Sequence, residues 1–81
     1  MNSELEAIKK MHQTEGKEKI QAIQQKIDTT KYNIEVSKEI IAETPSDAQA
    51  EQLREKNTNR HHAISGLQKE IRDIEHVLEQ E

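Results

Sequence analysis

The chain has 81 residues, 35% of them charged and 31% hydrophobic, with a net charge of −4, 2 Gly, 1 Pro and a single aromatic residue, Tyr32. That length allows one domain at most, and so few turn-forming residues argue against a loop-rich or β fold. No cysteine is present, which excludes disulfides, thiol catalysis, thiolate zinc sites and any CxxC redox pair.

The first predicted element is a short helix over residues 3–14. Ser3 and Glu6 form an S-x-x-E capping pattern, and Leu5, Ile8 and Met11 give a short apolar face. Gly16 costs a helix interior about 1 kcal/mol relative to Ala. The phase of Leu5 and Ile8 also does not continue into the next repeat, so a break or kink is expected at Thr14-Glu15-Gly16.

The second element is a helix over 17–43. Ile20, Ile27, Ile34 and Ile41 recur every seven residues, and the companion seam positions are Ile23, Thr30, Ser37 and Thr44. Steps of three and four place them all on one stripe. Val36 and Ile40 widen the apolar surface. Lys17, Lys19, Lys26, Lys31 and Lys38 alternate with Glu15, Glu18, Asp28, Glu35 and Glu39, a solvated face of mixed sign.

Thr44-Pro45-Ser46-Asp47 marks the turn. Thr44 is expected to cap the next helix, with Pro45 at its first position, where the missing N–H is not needed, and Asp47 reaching back. The residue before proline is itself biased away from helix.

The third element is a helix over 45–79 whose seam is Leu53, Asn57, Arg60, Ile64, Leu67, Ile71, Ile74 and Leu78. A chain folded at Pro45 brings Ile41 near Ala50, Ile34 near Asn57, Ile27 near Ile64 and Ile20 near Ile71. The predicted fold is therefore all-α, a long antiparallel, coiled-coil-like helical hairpin spanning a single domain, residues 1–81. A two-helix hairpin has only one seam to bury. Either dimerisation into a four-helix bundle, or Leu5, Ile8 and Met11 docking as a third helix near Ile74, Val77 and Leu78, is expected to complete the core. Asn57 at a core position is expected to fix register and partner number. Arg60 is expected to snorkel outward, and Gly66, beside the seam, to permit close approach of another backbone.

No pattern in the chain points to catalysis. GxxxxGK[ST], GxSxG, HExxH and GxGxxG are absent. Adjacent His61 and His62 project roughly 100° apart on a helix and cannot share one metal unaided. Asp73 and His76 make at most half a site, and His12 stands apart. The expectation is no enzyme activity, no catalytic residue, no cofactor, no metal and no small-molecule substrate. An acidic chain without a basic face is not expected to bind nucleic acid. No apolar run approaches the roughly 20 residues of a membrane span, and residues 1–10 lack the apolar core of a secretory signal, so a cytoplasmic location without a membrane is expected. What remains is self-association or a protein partner.

Two stretches add a resemblance. Residues 27–44, IDTTKYNIEVSKEIIAET, and Arg54-Glu55-Lys56-Asn57-Thr58-Asn59-Arg60, followed by Ala63-Ile64, Glu70-Ile71 and Asp73, resemble the small acid-soluble spore proteins of the Tlp, or thioredoxin-like, type from spore-forming Firmicutes. The similarity extends over about Lys19 to Ile74. It implies a minor protein of the dormant spore, made in the forespore, held in the spore core and acting during sporulation or outgrowth. Thioredoxin chemistry is excluded by the missing cysteines. The departures lie at the amphipathic ends, Leu5–Met11 and the heptad extended to Leu78, and at His61 and His62, which replace basic residues. The alternative reading is a small adaptor or regulator whose hairpin binds a partner helix along Tyr32, Val36 and Ile40.

Overall fold

The computed structural model of the chain describes residues 3–80. It is an antiparallel hairpin of two helices, α1 (Ser3–Glu43) and α2 (Asp47–Gln80). The rod measures 70 × 15 × 12 Å, and its radius of gyration of 19.0 Å far exceeds the ~12 Å of a compact chain of this size.

The seam follows the heptads. Ile23, Ile27, Ile34 and Ile64 form the buried cluster, with Leu67, Ile71 and Ile74 packed against it. Ile27 and Ile64, which the fold at Pro45 pairs, thus share one core. Ile27 is the most deeply enclosed, at 1% exposure. Ala50, Asn57 and Ser37 are buried too, and Ile20, Ile41, Leu53, Arg60 and Leu78 are half-buried.

The break expected between residues 14 and 17 is absent, and α1 runs unbroken through Gly16. The repeat explains why. Gln13 and Gly16 stand seven residues before Ile20 and Ile23, and both are half-buried. A Cβ placed on Gly16 would lie 2.8 Å from Leu78 Cδ2. Gly16 therefore lets the two helices close together, and that packing offsets its poor helix propensity. The residues before it continue α1 and do not form a docked third helix: Leu5, Ile8 and Met11 stand exposed. Ser3, read as a cap, is itself the first helical residue described.

Gly66, expected to admit a backbone, has nothing within 4 Å of its would-be side chain. The two glycines therefore separate two effects. Gly66→Ala is expected to raise stability by about 1 kcal/mol, the bare helix-propensity gain. Gly16→Ala should gain less, because the flexible end of Leu78 must move aside. Thermal melts in which Gly16→Ala gains as much as Gly66→Ala would contradict the close packing.

At the bend the cap is Ser46, not Thr44. Ser46 Oγ accepts from the Gln49 N–H at 3.2 Å, and its carbonyl accepts the first helical bond, from Ala50, at 3.0 Å. Pro45 thus sits one residue before the cap, and α2 starts at Asp47 where 45 was predicted. Thr44 has a different task. Its hydroxyl accepts from the Ser46 N–H at 3.2 Å and donates to Gln49 Oε1 at 2.7 Å. Its own N–H makes the last bond of α1, to the Ile40 carbonyl at 2.8 Å. A residue before proline disfavours helix, so α1 stops there.

Candidate functional site

Two features stand out along the rod, a polar node within the seam and an apolar surface at the open end.

The node interrupts the aliphatic run. Ser37 faces α2, and Asn57 and Arg60 lie three residues apart on one face of that helix. Arg60 was expected to turn outward. Instead its Nη1 donates to Ser37 Oγ across the hairpin at 2.8 Å and to Asn57 Oδ1 at 2.9 Å. Small Ser37 leaves room for the guanidinium, and two oxygens there replace water. Among the described residues no buried side-chain polar atom lacks a partner.

The open end arises from unequal helix length. With Leu78 seated on Gly16, residues 3–13 run past the end of α2, about 16 Å of helix at 1.5 Å per residue. Leu5, Ile8 and Met11 on that overrun are 53%, 48% and 59% exposed, and Val77 of α2 is 55% exposed. An open groove of about 430 Å³ lies beside Val77, lined by His12, Glu15 and Lys19 on one side and by Asp73, Val77 and Leu78 on the other.

Three ion pairs lie within single helices. Lys38–Glu35 at 3.2 Å, Arg54–Glu51 at 3.7 Å and Lys69–Asp73 at 3.0 Å each join residues one turn apart, with well-exposed side chains. Such pairs contribute a few tenths of a kcal/mol and carry no pairing specificity. The Asp73–His76 half-site is not assembled, since Asp73 accepts from Lys69 and His76 pairs with Gln80 at 3.1 Å. His61 and His62 are both exposed. No three His, Asp or Glu side chains converge as a metal site would need, among the described residues. Nor, among them, is any helix long and apolar enough to cross a membrane.

Sequence reasoning placed the seam residues on the facing stripe but missed that Ser37 completes the node. The signal was a small polar residue three positions after Ile34, on the same stripe. It also missed Gln13 and Gly16, legible by extending the repeat one heptad back.

The profile of the small, acid-soluble spore protein Tlp matches residues 11–80. No curated protein and no solved structure shows a significant match. The profile spans most of α1, the bend, the polar node and α2, and most of the chain's length, so the chain belongs to the Tlp family of small, acid-soluble spore proteins.

Proposed function

We propose that this chain is a non-catalytic protein of the spore core that acts by association, with itself or with another spore protein, during sporulation and outgrowth. The observation that carries this reading is where the large apolar side chains go. One seam takes the heptad residues, while Leu5, Ile8, Met11, Tyr32, Ile40 and Val77 stand in solvent. Such side chains gain free energy when another surface covers them. The non-catalytic part is supported by the node, where Arg60 Nη1 occupies the side-chain oxygens of Ser37 and Asn57 inside the seam. The lack of cysteine leaves no dithiol for redox chemistry.

A second reading, an adaptor that receives a partner helix, is favoured by Tyr32 and Ile40. Both are exposed, and with half-buried Val36 they lie four residues apart on one stripe of α1. A photo-reactive amino acid in place of Tyr32 or of Met11, irradiated in intact spores, tests both readings. Discrete adducts are expected. Recovery of only the uncrosslinked 9.4 kDa chain from both positions would remove association as the mode of action.

A further inference from the structure

The first three turns of α1 carry an apolar face that its own hairpin cannot cover. Continuing the seam back by seven from Gln13 and Gly16 leads to Glu6 and Lys9, both charged and exposed. A longer α2 would therefore meet charges there, not Leu5 or Ile8. The apolar residues sit one position off that stripe, rotated by about 100°. They also lead into the open groove, because steps of three and four from Leu5 and Ile8 reach His12 and Glu15 in its wall. A free helix of this length is marginal in water, so it gains from a companion.

The face is self-complementary in one orientation. Laid antiparallel about Ile8, two such segments set Leu5 against Met11 and Ile8 against Ile8. This arrangement also opposes the helix dipoles. The parallel arrangement would set Glu4 against Glu4 and align the dipoles. A contact that matches its own copy closes as a two-fold dimer. We propose that two copies of the chain join end to end. The free turns of α1 of one copy lie antiparallel along those of the other, with Ile8 facing Ile8 across the two-fold axis. The first turn of each copy then runs toward the groove beside Val77 of the other. Leu5 and Ile8 precede the segment that the family profile matches, so the surface is largely this chain's own. The inference rests on the reading that the chain acts by association, and it names the surface.

The 81-residue chain has no cysteine, so a single introduced thiol reports one position. Ile8→Cys, oxidised in air with copper–phenanthroline, is expected to give a covalent dimer about tenfold faster than Glu55→Cys, at an exposed position on α2, because facing thiols hold a high effective concentration. Sedimentation equilibrium at about 100 μM, above a micromolar Kd, is expected to give twice the 9.4 kDa mass of one chain. Ile8→Asp should return the single-chain mass with helical circular dichroism kept. A monomeric parent chain, a dimer that survives Ile8→Asp, or equal cross-linking at the two positions would overturn the proposal. If Ile8→Asp loses helix, the cysteine comparison still decides. A monomer that still forms adducts with another protein in spores would sink this surface but leave association standing.

Discussion

Ile27→Asp is expected to abolish the cooperative melting transition and most of the helical circular dichroism at room temperature. Ile27 is 1% exposed at the centre of the buried cluster. Removing its aliphatic side chain alone costs on the order of 2–5 kcal/mol. The guanidinium inside the seam, that of Arg60, is already engaged by Ser37 and Asn57, and an unpaired buried ion costs several kcal/mol more. Together these reach into the roughly 5–15 kcal/mol that holds a domain folded, and a small one-seam hairpin sits at the low end of that range. A hairpin with one seam has no second core to fall back on. Ile64→Asp, in the same cluster, should behave alike. Ile40→Asp, at a position 39% exposed, should leave the spectrum near that of the parent chain. Parent-like melting of both Ile27→Asp and Ile64→Asp would refute the single-seam account.

The second large effect concerns the node, where the sign should reverse with the number of substitutions. Asn57→Leu removes one of the two oxygens that receive Arg60 Nη1. The part-buried guanidinium then keeps only Ser37, and the loss is expected to cost about 1–3 kcal/mol. Arg60→Leu added to that variant removes the stranded charge and fills the seam with aliphatic surface. Replacing a buried ionic group and its partner by apolar residues is often neutral or stabilising. The double variant is therefore expected to melt at or above the parent temperature. Its coupling energy from a urea-denaturation cycle should fall within about 0.5–3 kcal/mol. A more aliphatic seam should also attract further helices, and sedimentation of the double variant should show heavier species. Strict additivity of the two substitutions would mean that the 2.8 and 2.9 Å bonds do not couple the residues.

These expectations show which parts of the molecule are legible in its residues. Ile20, Ile27, Ile34 and Ile41 fix the facing stripe of α1 by spacing alone, because burial follows helical periodicity. The seam positions of α2 follow by the same rule, down to half-buried Leu78. Gly16 was misread because its propensity penalty is local, whereas its benefit, the nearness of Leu78, comes from a residue 62 positions away. At the bend, Thr44 and Ser46 are both good caps by type. Only the S-x-x-Q spacing of Ser46 to Gln49 separated them. The direction of Arg60 was the least legible feature. Spacing places a long side chain on a stripe but does not say whether its charged end leaves the seam. That depends on the oxygens that Ser37 and Asn57 offer it. The exposure of Leu5 and Ile8 follows from their register, since both stand one position off the stripe that Gln13 and Gly16 continue.

The bend has a consequence for how copies of the chain can meet. Hairpins often exchange arms by straightening their hinge, which yields domain-swapped dimers at little cost. Here a straight helix through Pro45 would lose a backbone bond and suffer a ring clash worth about 3 kcal/mol. It would also break the hydrogen bonds that join Thr44, Ser46 and Gln49. Arm exchange is thereby disfavoured, and each chain keeps its two helices to itself.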